Sequence, residues 1–203
     1  MQTDDLIGMM IVIACVAVSL PLALTHASFK AQEMSETWRK LAHRHRLHFE
    51  PGRRGQKPFA SGTLRGHALR MGKVRATEPG PYFMELSLRS KPPAELHLQP
   101  LPGSPAELAG PEGALGLLER IPATGAEARL ESVAKIEPQD SDEVLRYLTK
   151  TRRAAALRLA TLGGQLEGGK LKVIITDRSA RELEALDAVL HELESLAPVL
   201  EEA

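Results

Sequence analysis

The sequence predicts an α+β protein: an N-terminal transmembrane helix followed by a soluble domain with a mainly antiparallel sheet and a long C-terminal helix. Three observations carry that prediction. Residues 6–25 (LIGMMIVIACVAVSLPLALT) hold no charge, and at 1.5 Å per residue such a run spans about 30 Å of hydrocarbon. Tyr82, Met84, Leu86 and Leu88 alternate with Phe83, Glu85 and Ser87, the period of a half-buried strand. Leu183, Leu186, Leu190, Leu193 and Ala197 recur at spacings of 3 and 4, the period of a helix.

The apolar run admits three readings. A cleavable signal peptide wants basic residues first, whereas Met1 to Asp5 is acidic, although Thr25-His26-Ala27 is a passable cleavage site. A lipoprotein signal ending at Cys15 has the same defect, and the apolar run continues past it. An uncleaved anchor over 6–27, behind a short tail of residues 1–5, needs neither feature. Cys15 is then a lipid-facing or packed small residue. As the one cysteine of the chain it excludes a disulfide framework and a thiolate-rich zinc site. No Lys or Arg precedes the anchor, and Lys30, Arg39, Lys40, Arg44 and Arg46 follow it. The positive-inside rule therefore places the domain on the cytoplasmic side of the inner membrane. Asn is absent and Arg outnumbers Lys 17 to 9, the bias of a GC-rich, bacterial coding sequence.

Met34, Trp38, Leu41, Ala42 and His45 share one helical face, so residues 28–46 read as a juxtamembrane basic amphipathic helix, with Trp38 packed inward. Residues 47–203 form the soluble α+β domain. Leu47 and Phe49 begin a short strand that Pro51-Gly52 ends. Phe59 to Leu64 and His67 to Arg75 read as strands joined at Arg65-Gly66. The alternating strand from Tyr82 follows, and beyond Pro92-Pro93 another carries Ala94, Leu96 and Leu98. Residues 101–126 are rich in Pro and Gly and read as an inserted loop with a helical turn at 114–120. A strand is expected over 128–136. Asp140 with Glu143 resembles a capping box for a helix carrying Val144, Leu145 and Leu148, which Arg152 to Leu162 continues or restarts until Gly163-Gly164. Gly168-Gly169 turns a hairpin whose second strand is Leu171 to Thr176. Ser179 with Glu182 reads as the capping box of the last helix, which Pro198 should end near Ala197. Its Leu/Ala seam would suit self-association through the C-terminal helix. Val189 and Leu196 broaden the stripe, which favours a helix laid on the sheet.

The net charge of zero hides a division. Residues 29–100 hold 14 Lys+Arg against 6 Asp+Glu; residues 101–203 hold 12 against 18. Either the basic half faces the anionic bilayer, or the halves form one domain whose charges pair or are solvated. The candidate contacts with anionic lipid headgroups are Lys30, Arg39, Lys40, Arg44 and Arg46.

Catalytic signatures are thin. Gly164 to Lys170 matches the core of a phosphate-binding loop, but Leu171 replaces the hydroxyl residue, and the order is helix–loop–strand, the reverse of what that loop needs. Nucleotide binding is rejected. His43 and His45 are turned about 200° apart on a helix and lie among Arg44 and Arg46, which disfavours a metal. His191-Glu192 lacks the second His of a zinc-protease motif, and no nucleophile elbow or dinucleotide turn appears. Glu182, Glu184, Asp187, Glu192 and Glu194 read as the solvated face of the last helix. No cofactor, no metal and no nucleic-acid partner is expected.

Trp38-Arg39-Lys40-Leu41-Ala42 leading to Leu47-His48-Phe49-Glu50-Pro51-Gly52, then Ser61 to His67, then Tyr147-Leu148-Thr149 with Arg152-Arg153 and the Gly-Gly hairpin, resembles uncharacterised bacterial single-pass membrane-anchored domains. The resemblance covers about residues 36–200 and implies a shared fold without an activity. Two functional classes follow: a membrane-anchored interaction or scaffolding domain, binding a protein partner or the bilayer surface, and an enzyme whose site no motif reveals.

Overall fold

The computed structural model describes residues 19, 29–52, 58–74, 81–90, 92–103, 113–116, 118, 130–138 and 141–201. Apart from Ser19, the anchor expected over 6–27 lies outside the described residues. Among the described residues no helix is long and apolar enough to cross a membrane.

From residue 29 the described residues form helix α1 (residues 29–45) and four strands, β1 His48–Glu50, β2 Phe59–Leu64, β3 His67–Lys73 and β4 Tyr82–Ser87. There follow β5 His97–Pro100, a helical turn at residues 113–116, α2 Leu130–Val133, β6 Ala134–Glu137, α3 Asp142–Tyr147 and α4 Lys150–Thr161. The chain closes with β7 Gly164–Glu167, β8 Lys170–Ile175 and α5 Leu183–Glu201. The eight strands among the described residues form one sheet in the order β1-β2-β3-β4-β8-β7-β5-β6, antiparallel throughout. Two of its hairpins use turns with two successive positive φ angles: Arg65 (46°) with Gly66 (86°), and Gly168 (56°) with Gly169 (76°). That geometry matches the right-handed twist of paired strands.

Alternation sorts the strands into two faces. Leu69, Met71, Met84, Leu86, Leu171, Val173 and Ile175 are buried on one, and α4 and α5 pack there against β5, β7 and β4. Helix α1 belongs to the same layer and to the same core. Trp38 is wholly buried. Its ring meets Tyr82 edge-on at 5.4 Å, and its indole N–H donates to the Ala180 carbonyl at 2.9 Å. The seam residues Leu186, Leu190, Leu193 and Ala197 are fully buried, so α5 lies on the sheet. Self-association through that seam would require the core to open.

Several local expectations need correction. Of the strand expected over 128–136, residues 128 and 129 lie outside the described residues, Leu130–Val133 is helical, and the extended part starts at Ala134, in Ala134–Glu137. Leu130 and Ala134, four apart, are both buried, and the period changes to two only from Ala134. Ser141, not Asp140, caps α3: its hydroxyl accepts the Val144 N–H at 3.5 Å. Thr149 caps α4 in the same way, so the helix restarts. Ser179 opens a single 3₁₀ turn, its hydroxyl 2.8 Å from that of Thr176. Glu182 pairs with Arg178, and the helix proper opens at Leu183. Finally, α5 runs through Pro198 to Glu201. A proline inside a helix costs about 3 kcal/mol. Burial of Leu196, Ala197 and Leu200 offsets it, and the Tyr147 hydroxyl clamps the last turn by donating to the Leu200 carbonyl at 2.5 Å.

Trp38→Ala should lower the unfolding free energy by about 3–5 kcal/mol in urea melts, the usual cost of emptying an aromatic core site. Both tyrosines of the chain resist ionisation. Burial, aided by the charge of Asp177, pushes the Tyr82 phenol up to about 12. Burial also raises Tyr147, with Arg152 opposing and Glu201 adding. The stability held by the neutral phenols is complete below the ordinary tyrosine value near 10 and is lost as pH rises through the higher folded values. An ultraviolet titration of the native protein should therefore show the Tyr82 step moved up to about pH 12 and the Tyr147 step moved upward from its position in the urea-unfolded chain.

Candidate interaction surfaces

All five basic residues singled out from the sequence are exposed on α1 or at its end, but they are not equivalent. Arg39 forms two hydrogen bonds with Glu36, at 2.9 and 2.7 Å. Arg44 reaches across to α5 and binds Asp187 at 2.5 Å, while His45 Nε2 lies 2.5 Å from the other oxygen of the same carboxylate. Burial alone would raise the Asp187 carboxyl; the hydrogen bonds from His45 and Arg44 outweigh it and hold the group below the usual carboxylate range. Lys30, Lys40 and Arg46 make no ion pair among the described residues. Arg46 occupies the left-handed region, φ 55°, and Leu47 N–H donates back to the Ala42 carbonyl at 2.8 Å. This closes α1 with the motif usually given to glycine.

Further contacts among the described residues join the two halves. Arg65 pairs with Glu194, and Glu201 accepts the Arg89 N–H beside His67, whose Nδ1 is 3.3 Å away. Lys170 reaches back to Glu85 at 3.1 Å, and Arg181 to Glu33 at 3.6 Å. Within the acidic half, Arg158 grips Glu192 with two bonds of 2.6 and 2.9 Å. At these described positions the charges of the two halves pair across one sheet and its helix layer. Sequence reasoning missed this, because Asp187, Glu192 and Glu194 looked like solvated carboxylates; Glu192 and Glu194 are only 9% exposed. Their partners are remote in the chain, and no local pattern announces them. His43 and His48 point to solvent, and among the described residues no group of three His, Cys, Asp or Glu is arranged for a metal.

The second face of the sheet is half-exposed and ordered in rows. Phe83 stands opposite Gly72 and Ile174. A Cβ on Gly72 would lie 3.1 Å from Phe59 and 3.2 Å from Phe83, so the missing side chain lets the two rings approach. The next row reads Ser61, Arg70, Glu85, Lys172, Gln165, and a third reads Ser87, Lys170, Glu167, His97, Glu137. Arg70 sits over Phe59 and Lys172 over Phe83, each 5.7 Å from the ring centre. Opposite charges therefore face each other across strands, with cations covering the aromatic row.

A third surface lies at the end of the sheet. Strand β6 pairs with β5 on one side, and no described strand pairs with its other edge. Beside that edge runs a groove of about 390 Å³ between β6 and α3, lined by Ala134, Ile136, Val144, Leu145 and Leu148, with Glu131 and Arg153 on its rim.

No family model matches the chain, and no curated protein matches its sequence. Among solved structures it is similar to the mycobacterial trehalose monomycolate transport factor A, with 12% identity and a TM-score of 0.46 over 84% of this chain and 97% of that one. A likeness of that strength carries no functional argument.

Because a non-glycine residue in the left-handed region costs about 1 kcal/mol or more, Arg46→Gly should raise the unfolding free energy by about that amount. A loss of stability in urea melts would show that the Arg46 side chain holds the end of α1 by a contact of its own.

Proposed function

We propose that the chain is a membrane-anchored interaction domain, tethered by residues 6–27 at the cytoplasmic surface of the inner membrane and offering the open face of its sheet to a partner. The observation that carries this reading is the asymmetry of the sheet. One face is covered by α1, α4 and α5; the other keeps Phe59, Phe83 and Ile174 half-exposed between Arg70 and Lys172. An antiparallel sheet can leave one face to water, but an aromatic row held in place by a glycine is more than solvation requires.

The basic residues of α1 fit a role in orientation. If α1 stood along the membrane normal, Lys40 would lie ten residues from Lys30, about 15 Å further out, beyond a Debye length of about 8 Å at physiological salt. The cations act together only when α1 lies along the leaflet with the helix layer towards the lipid and the open sheet face towards the cytoplasm. Each unpaired cation near an anionic surface contributes about 1 kcal/mol. Lys30, Lys40 and Arg46 together give about 3 kcal/mol, roughly two decades in affinity. That is too little to hold a free domain and enough to orient a tethered one.

Photoreactive side chains test both parts in the full-length protein in cells. Placed at Gln32, on the outward side of α1, the probe should label lipid; placed at Ser61, on the open face, it should label protein. Replacing Lys30, Lys40 and Arg46 together by Gln should reduce the lipid adducts severalfold without lowering the melting temperature. Lipid labelling from Ser61, or none from Gln32, would sink the proposed orientation.

A further inference from the structure

We propose that the edge of β6 that no described strand covers pairs antiparallel with β6 of a second copy, so that two sheets join across a two-fold axis. The residues that point to this are Lys135, Ile136 and Glu137. Lys135 and Glu137 project from the open face, with side chains 58% and 55% exposed, and in the single chain they pair with each other. Ile136 projects to the helix side and is buried. Edge strands invite pairing with another chain, and charges on them usually discourage it. Here the order of the charges makes the strand complementary to itself.

Placing Ile136 opposite its own copy sets Lys135 against Glu137 of the partner subunit, twice per interface. Sliding the pairing by one residue brings an open-face position opposite a helix-face position, which the pleat forbids. Sliding it by two in either direction puts Lys135 against Lys135 or Glu137 against Glu137. Like charges directly opposite destabilise a strand pair, so a single register is favoured. The matching is isologous, as a closed two-fold interface demands.

The surroundings fit the same occupant. A two-fold axis normal to the sheet keeps both helix layers on one side, which brings the two β6–α3 grooves together across the axis. Leu145, which lines the groove, is 52% exposed in the single chain, and it would be covered there along with Ile136. The opposite edge of the sheet, β1, is one residue shorter, and both edge strands end at a proline, Pro51 and Pro138. The joined sheet also leaves both α1 helices on one side, compatible with two anchors in one leaflet. That compatibility rests on the orientation proposed above; the pairing does not.

Charge exchange in the full chain tests the proposal. In detergent micelles, sedimentation should show a concentration-dependent dimer for the parent protein. Lys135→Glu and Glu137→Lys should each weaken it at least tenfold, because each sets like charges opposite one another. Mixing the two variants should restore a dimer, now between unlike chains, and the double variant K135E/E137K should dimerise with itself. Both positions are exposed, so melting temperatures should change little. A dimer indifferent to these substitutions, or a parent chain that stays monomeric up to the highest soluble concentration, would overturn the proposal. Failure of this test would leave lipid labelling from Gln32 unaffected, so the two proposals are separable.

Discussion

The burial of Trp38 is the contact on which the helix layer depends. One side chain ties three distant parts of the chain together: it belongs to α1, lies edge-on to Tyr82 at the start of β4, and hydrogen-bonds Ala180 in the turn that leads into α5. The indole N–H has a partner, so the largest apolar side chain in the core is buried without leaving a polar group unsatisfied. Because α1 is fixed there, its polar side is fixed too. Arg44 and His45 meet Asp187 where Trp38, with the Thr37 hydroxyl donating to the Arg181 carbonyl at 3.0 Å, holds the helix near the start of α5.

The sheet was largely legible. Alternation located the first five strands and the last two, since a half-buried antiparallel strand writes its two faces into the sequence. The turn at Gly168-Gly169 was equally plain, as two positive φ angles call for glycine. Legibility failed where packing overrode local chemistry. Pro198 should have ended α5, but the buried side chains around it and the Tyr147 hydroxyl outweigh the lost hydrogen bond. Ser179 had the spacing of a capping residue, yet its hydroxyl was already engaged by Thr176. A strand expected over 128–136 turned out half helical, because spacings of two and of four both fit so short a stretch.

The surfaces were less legible than the fold, for an electrostatic reason. Composition divides the chain into a basic and an acidic half, and folding brings those halves into contact through Arg44, Arg65, His67, Asp187, Glu194 and Glu201. Most of these pairs are partly exposed and contribute little energy each. Their effect is to reduce, at the described positions, the charge separation that the composition suggests. A run of cations in the sequence is therefore a poor guide to a basic patch in space. What remains unpaired on α1 is smaller than the sequence suggests, and the rows on the open face become visible only once the strand register is known.

The strand order has a consequence for how the molecule is made. Strands β1 to β4 form by successive local pairings, and β5 with β6 form a separate pair. Yet the piece that joins them, the β7–β8 hairpin, lies near the end of the chain and enters the sheet between β4 and β5. Until the ribosome has delivered it, the nascent protein holds two sheet fragments with open inner edges, and the Ala180 carbonyl that receives the Trp38 indole has not been synthesised. Such non-local closure makes folding slow and leaves apolar edges exposed while it waits. A chain stopped short of residue 164 would keep six of its eight strands and have no means of uniting them.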